Sequence, residues 1–267
     1  MLGGLQLDNL EIREVTVDNL ESLVSLCVSP ENRNDPLFIG GMREKKKWAT
    51  QALERYGSIA KLAYLNSKPA GIIQYQPRPE EEVVEISCTF VPEKANLRKG
   101  IGRSLLNALM EDSKKPQRAF DSNVPRALVT WAFQVPETYS QSDFYRRMGF
   151  KRVKEDDPLL LYCPIEEGYV FCPREEKFTP QKEDRGKALI FYDPSCPFCI
   201  NFSERIKDSI RQVAPDVSVR LVNKFEQQEE VEKRGKVPFC AVNGVAMQSF
   251  FMDRESFQKE VKAALES

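Results

Sequence analysis

Residues 164 to 186 break the chain in two. They read PIEEGYVFCPREEKFTPQKEDRG, with three prolines, two glycines and many charges. Neither a helix nor a strand is sustained by that composition. Apolar periodicity resumes on both sides. At 267 residues the chain has the length of two domains rather than one. The expected division is a first domain over residues 1–165, a linker over 166–186 and a second domain over 187–267.

Before the break, strands are expected at Ala60–Leu65, Ala70–Gln76, Val83–Val91, Arg126–Phe133 and Leu159–Cys163, after a first strand and helix near the N-terminus. β-branched and aromatic residues crowd these runs. Helices are expected from about Met42 to Tyr56, from Ile101 onward and over Gln141–Met148. After the break the order is strand (Ala188–Tyr192), helix (Pro197–Val213), strand (Val217–Val222), helix (about Glu226–Arg234), strands (Phe239–Val242, Ala246–Phe251) and helix (Arg254–Leu265). The fold class is α/β (α+β), with a small βαβαββα unit at the C-terminal end.

Several function classes are excluded by composition. The chain has no histidine. Ser-His-Asp and Cys-His catalysis and His-ligated metal sites are therefore ruled out. A general base must be a carboxylate, a tuned lysine, a tyrosine, a thiolate or water. Of 39 basic and 40 acidic residues, 12 of each lie from Lys187 onward, so neither part carries the basic excess that drives nucleic-acid binding. No apolar run approaches a membrane span, and MLGGLQLDNLEIREV lacks the apolar core of a signal peptide. Seven cysteines without a secretory signal fit a reducing cytoplasm. Oligomeric state is not legible.

The stretch NLRKGIGRSLL (residues 96–106) stands between the strand ending at Val91 and the helix from Ile101. Gly100 and Gly102 lack Cβ atoms, so successive amides there can turn toward one anion, with a helix N-terminus behind them. Arg98, Lys99 and Arg103 add positive charge. The same residues also suit a plain tight turn. The GK[ST] ending of a Walker loop is missing, and so are the third glycine and acidic residue of a Rossmann fingerprint.

Some forty residues on comes DFYRRMGFKRV. Strand, R-K-G-I-G-R, long helix, strand and F-Y-R-R-M-G-F together resemble the GNAT family of acetyl-CoA-dependent N-acetyltransferases, over roughly residues 8–165. The resemblance implies a mixed, splayed sheet, CoA pyrophosphate on the amides of Arg98, Lys99, Gly100, Ile101, Gly102 and Arg103, and pantetheine along the strand ending at Val91. It also implies a β-bulge on that strand. Tyr145 stands where the family often has the acid that protonates CoA sulfur, and Glu85 near the place of a glutamate base. Both residues also read as ordinary packing or surface positions. Glu137 and Asp143 are lesser candidates, and Trp131, Phe133 and Tyr139 either line an acceptor pocket or pack in the core. The acceptor implied is a primary amine on a small molecule or peptide. The departure is Leu97, where the family usually has Gln or Arg.

The second constellation is YDPSCPFC (residues 192–199). It places Cys196 at an expected helix N-terminus, where the backbone field favours a thiolate, and Cys199 one turn deeper. C-P-F-C followed by V-P-F-C, with Pro238 before a strand, resembles the thioredoxin/glutaredoxin fold, in which that proline is cis. Cys240 would be a third thiol. The fusion resembles YoaP-type acetyltransferases. Three readings stand: a thiol–disulfide site, an inert pair, or a soft-metal site with Cys172 as a fourth ligand. Cys27 and Cys88 read as core. Beside the acetyltransferase stand two alternatives: a thiol-disulfide oxidoreductase or thiol-dependent binding protein with a non-catalytic CoA-binding half, and a CoA sensor.

Overall fold

A computed structural model of the chain describes residues 9–132, 140–174 and 176–266. The chain forms two compact units. The first comprises the chain up to Ser29 together with Ala49–Arg174, and the second Pro30–Trp48 with Glu175–Ser267.

In the first unit a seven-stranded sheet runs β1 (Leu10–Glu14), β2 (Ala60–Leu65), β3 (Lys68–Arg78), β4 (Val83–Phe90), β5 (Ala127–Trp131), β7 (Leu160–Pro164), β6 (Lys151–Arg152). Helices α1 (Leu20–Ser25), α2 (Pro36–Tyr56), α3 (Ile101–Ser113) and α4 (Gln141–Arg147) fall between strands in the chain. Every neighbouring pair is antiparallel except β4 and β5, which are parallel. A crossover of helical length is what a parallel pair requires, and α3 supplies it. The β2–β3 hairpin turns on Asn66 and Ser67, with φ of 50° and 62°, the paired positive φ values of a two-residue hairpin loop.

Ile101, Leu105, Leu106 and Leu109 form the buried stripe of α3, a helical spacing. They pack with Ile73, Tyr75, Val84, Ile86 and Leu128 of the sheet. Contact is close at Gly71, where an added Cβ would stand 2.8 Å from Ile101 Cγ2. Lys61 is buried on β2, and its ammonium reaches Glu14 of β1 (2.8 Å) and Asp112 of α3 (2.5 Å). A buried cation without a partner would be costly, and here two carboxylates compensate it.

The second unit has a four-stranded sheet, β11 (Val245–Ala246), β10 (Cys240–Val242), β8 (Lys187–Tyr192), β9 (Ser218–Asn223), with α5 (Cys199–Val213), α6 (Gln228–Glu232) and α7 (Arg254–Glu266). β8 and β9 are parallel; β10 is antiparallel to β8 and to β11. Strand β8 is buried on both faces. Ala188 and Ile190 meet Ile206, Ile210, Phe257 and Val261 of α5 and α7, while Leu189 and Phe191 meet Phe178, Val222 and Val231.

Several sequence expectations are corrected. The break at 166–186 is not one free linker. Tyr169 and Phe171 pack against Val83 and Tyr162 in the first unit, and from Glu175 the chain belongs to the second. Residues 30–48 leave the first domain for the second unit. Helix α2 begins at Pro36, six residues early, because Asp35 Oδ1 accepts from the Leu37 amide at 2.8 Å and proline suits a first turn. The last strand stops at Ala246, since the Gln248 and Ser249 amides turn to the Glu260 carboxylate at 2.8 Å each. Helix α5 begins at Cys199, which leaves Cys196 in the turn before it. There are no cis peptide bonds among the described residues, so Pro238 is trans. The trans isomer is the intrinsically favoured one, and the next carbonyl, of Phe239, accepts from the Phe191 amide at 3.0 Å.

The segment leading into β8 is anchored by Asp184, which takes two bonds from Arg234 (3.0 and 2.6 Å). Both side chains are 2% exposed. Burial pushes the Asp184 carboxyl up, but the Arg234 guanidinium and the Gln181 amide more than reverse this, and its pKa lies below the ordinary value. A depressed folded pKa adds stability above the unfolded value of about 3.9, lost as pH falls through the folded one. Asp184→Asn should cost about 3–5 kcal/mol by stranding the buried guanidinium, and should flatten the acid limb of stability below about pH 4. Urea titrations of both proteins at pH 7 and pH 3 check this.

Candidate functional site

Strand β4 leads into the glycine turn through a loop fixed by its own side chains. Asn96 donates to Glu93 Oε2 (2.9 Å) and accepts from Lys99 Nζ (3.3 Å). Arg98 and Gly100 then take φ of 62° and 89°. A left-handed position is strained for any residue but glycine, and Gly100 is the residue that caps the start of α3 at Ile101. The first bond inside the helix is Ser104 N to Gly100 O, 2.9 Å, so the Ile101, Gly102 and Arg103 amides precede the helical ladder. A Cβ on Gly100 would meet nothing within 4 Å, so the space above the turn is open. Arg98, Lys99 and Arg103 are exposed around it. At Gly102 the neighbour is the Phe144 ring of α4, 3.6 Å from an added Cβ. Val91 is half-buried against the α3 side of the core. Leu97 is 47% exposed, and its side chain offers no hydrogen bond. Free backbone amides at a helix start, with cations at the rim, are an arrangement that suits an anion.

Beside it the sheet opens. The parallel ladder of β4 and β5 ends at Ile86↔Thr130, while β4 continues to Phe90. Against β3, Tyr75 faces Ile86 but Gln74 faces Cys88, so Ser87 is an extra residue on β4. A β-bulge bends a strand and frees backbone groups there. At the parting, Thr130 Oγ1 donates to the Ile86 carbonyl at 3.0 Å.

Tyr145 reaches this point from α4. Ser140 caps that helix, its side chain accepting from the Asp143 amide. The Tyr145 ring is buried between Phe144 and Phe150, with centroids 5.1 Å away on both sides. Its hydroxyl lies 2.8 Å from Thr89 Oγ1. Burial pushes the phenol up to about 12, although hydrogen bonding to Thr89 and Thr130 opposes the shift. The group therefore stays protonated at neutral pH, which suits a proton donor and not a base.

Glu85 is not drawn to the same point. Alternation along β4 sends Val84 and Ile86 to the α3 side, so Glu85 shares the opposite face with Val83. There it accepts from Gln76 Nε2 (3.3 Å) and stands 3.9 Å from Arg78. Asp143 makes an exposed contact with Arg146 at 3.9 Å. Trp131 ends β5 with 53% of its surface exposed, so it is not core. Glu137, Phe133 and Tyr139 lie outside the described residues. Cys27 and Cys88 are half-buried rather than core. The bulge expected on this strand is present, at Ser87, whereas Thr89 and Thr130 escaped sequence reasoning. Two threonines in strands look like β-formers, and only the pairing shows that they flank the opening.

In the second unit, Cys196 is exposed and Cys199 is 5% exposed. The turn is closed by Ser195 N to Asp193 Oδ1 (2.9 Å) and Cys199 N to Cys196 O (3.1 Å). The Cys199 thiol is pushed up to about 12, first by burial and then by Cys196, Glu44 and Asp193, against the Ile200 amide. Cys240 is fully buried, and burial with the Glu260 carboxylate raises its thiol further. Pro238 lies two residues before it. Cys172 belongs to the first unit. Among the described residues no three Cys, Asp or Glu side chains are grouped to hold a metal ion, and no helix is long and apolar enough to cross a membrane.

Residues 23–150 match the family model of the acetyltransferase (GNAT) family. No curated protein matches the chain significantly. Among solved structures, a GNAT-family acetyltransferase from Staphylococcus aureus Mu50 is 18% identical, with 59% of this chain and 99% of that one covered and a TM-score of 0.43. The PaiA N-acetyltransferase of Thermoplasma acidophilum, in complex with coenzyme A, is 15% identical over 59% of this chain and 99% of that one, TM-score 0.40. A putative acetyltransferase from Pyrococcus horikoshii is 21% identical over 57% of this chain, TM-score 0.39, and this chain spans about half (47%) of its length. The match to the acetyltransferase (GNAT) family model thus spans just under half of the chain and takes in the glycine turn, the parting of β4 and β5, and Tyr145.

Proposed function

We propose that the first unit moves the acetyl group of acetyl-CoA onto a primary amine of a small molecule or peptide, at the parting of β4 and β5. The observation that carries this reading is the protonated Tyr145 hydroxyl, held 2.8 Å from Thr89 where β4 has left β5. CoA pyrophosphate would rest on the amides from Arg98 to Arg103, with pantetheine along β4 to Val91. The neutral amine nitrogen attacks the thioester carbon, and a backbone donor freed by the Ser87 bulge takes up charge on the oxygen. The C–S bond then breaks. Tyr145 gives its proton to the departing thiolate, and the proton from nitrogen leaves to water, because Glu85 stands on the opposite face of β4.

For the second unit the reading is a thioredoxin-like thiol site. Its support is the strand order β11-β10-β8-β9 with one parallel pair, and a turn with one exposed and one buried cysteine. Cys196 would attack a disulfide and Cys199 would resolve the mixed disulfide. Such a pair, kept as a dithiol, suits a reducing compartment, the cytoplasm. Leu97 favours a second view of the first unit, CoA binding without catalysis, because it supplies no side-chain contact to phosphate. Acetyl-CoA turnover against a panel of amines separates the two.

Three outcomes follow from these roles. Tyr145→Phe keeps the ring and removes the hydroxyl; kcat should fall about 10²–10⁴-fold with acetyl-CoA affinity nearly unchanged. Steady-state kinetics within a few-fold of wild type would instead assign the proton to water. Gly100→Asp places a carboxylate over the cradle and should weaken CoA binding by at least about tenfold, read by calorimetry; unchanged affinity would remove CoA from this turn. Near neutral pH, iodoacetamide should alkylate Cys196 well before Cys199 and Cys240, and oxidation should join Cys196 to Cys199. Peptide mapping that finds Cys196 slow to react and outside any disulfide would reduce the turn to packing.

A further inference from the structure

The first half of α2 lies on the cysteine turn of the second unit. Gly41 is buried, and a Cβ there would stand 1.9 Å from the Pro197 carbonyl oxygen and 2.8 Å from its carbon. No side chain fits at 41 while the helix stays seated. One residue earlier, Gly40 faces Ile200, 3.5 Å from an added Cβ to Cγ2. Phe38 meets Phe198 edge to face, with centroids 5.1 Å apart. Tyr192 donates to Glu44 at 3.3 Å, Trp48 packs on Phe225 at 6.4 Å, and Lys47 pairs with Glu226 at 2.6 Å. Residues 38–48 thus touch Pro197, Phe198 and Ile200, which bracket Cys199, and then the strand ends beside them. Cys196 stays exposed and Cys199 does not.

We propose that residues 36–48 are a removable cover over Cys199, which leaves Cys196 open to attack a disulfide and withholds the resolving thiol until the helix lifts. This rests on the thiol–disulfide reading of the turn. In the first step Cys196 sulfur joins one partner sulfur, and the other leaves as a thiol. In the second, Cys199 gives its proton to solvent and displaces the remaining partner sulfur from Cys196. That sulfur departs as a thiolate and takes up a proton, and the two electrons spent come from the Cys196–Cys199 dithiol. The cover shields only the second step. It is also built to leave. Two successive glycines form the seat, and glycine is the weakest helix former after proline. Close approach and easy release therefore come from the same residues. Glu44 adds negative charge near Cys199, beside that of Asp193, so lifting the helix both uncovers the thiol and removes a carboxylate that opposes its ionisation.

The test is pulsed N-ethylmaleimide labelling of the reduced full chain, with rates read site by site by peptide mass spectrometry. Gly41→Leu wedges the helix off the turn, and Phe38→Ala removes its aromatic contact. Cys199 should label about tenfold faster in Gly41→Leu, because overpacking at a closed contact shifts local opening by that order. Cys196 should keep its rate. Cys240, buried in the sheet core, reports whether the unit is still folded. An unchanged Cys199 rate with Cys240 protected overturns the cover. If Gly41→Leu also exposes Cys240, Phe38→Ala decides by the same criterion. With oxidised glutathione, Cys196–Cys199 disulfide should form faster in the variants than in wild type. No such disulfide in any protein would sink the thiol reading while the labelling still judges the cover.

Discussion

Where β4 stops pairing with β5 decides what the first unit can do. The ladder is parallel and ends at Ile86 and Thr130. One extra residue, Ser87, turns β4 away. Backbone polar groups cannot simply be left unpaired, and Thr130 takes the Ile86 carbonyl at the break. The opening is therefore a built feature with its own hydrogen bonding. Tyr145 fills its inner side, held by two rings and by Thr89. The same strand then delivers the chain to the glycine turn at 98–103, so that turn and the opening share one element. Their spacing is set by the length of β4 and by the seating of α3 on Gly71, where even one methyl group would collide with Ile101.

The second unit depends on a different contact. Its sheet alone would leave the Pro197–Ile200 turn bare on one side. The segment 36–48, far away in sequence, covers it. Charge holds the other end of the unit, where the buried Asp184–Arg234 pair ties the incoming chain to the residues after α6. A small unit gains much from such ties, because its core is limited.

Much of this was legible in the sequence because local chemistry sets it. Val83–Val91 reads as a strand from its β-branched run and forms one to Phe90. The start of α3 at Ile101 follows from Gly100, and the end of α4 from Gly149. Long-range pairing was not legible. The helix start at Pro36, ahead of the expected Met42, depends on the Asp35 side chain and on Gly41 seated against the Pro197 carbonyl. The strand expected to Phe251 ends at Ala246 because Glu260, far along the chain in α7, captures two amides. Thr89 and Thr130 acquire a role only through the register that sets them beside Tyr145. The cis bond expected at Pro238 came from resemblance, and the local backbone does not adopt it.

The central claim is that acetyl-CoA sits on the amides that open α3 and runs along the unpaired end of β4. Amide hydrogen exchange of the full chain, with and without saturating CoA, reads this most directly. Protection should rise over residues 98–103 and over 87–91, and should be unchanged in β8 and α5. Exchange at 98–103 that CoA leaves unaltered, with protection appearing elsewhere, would contradict it.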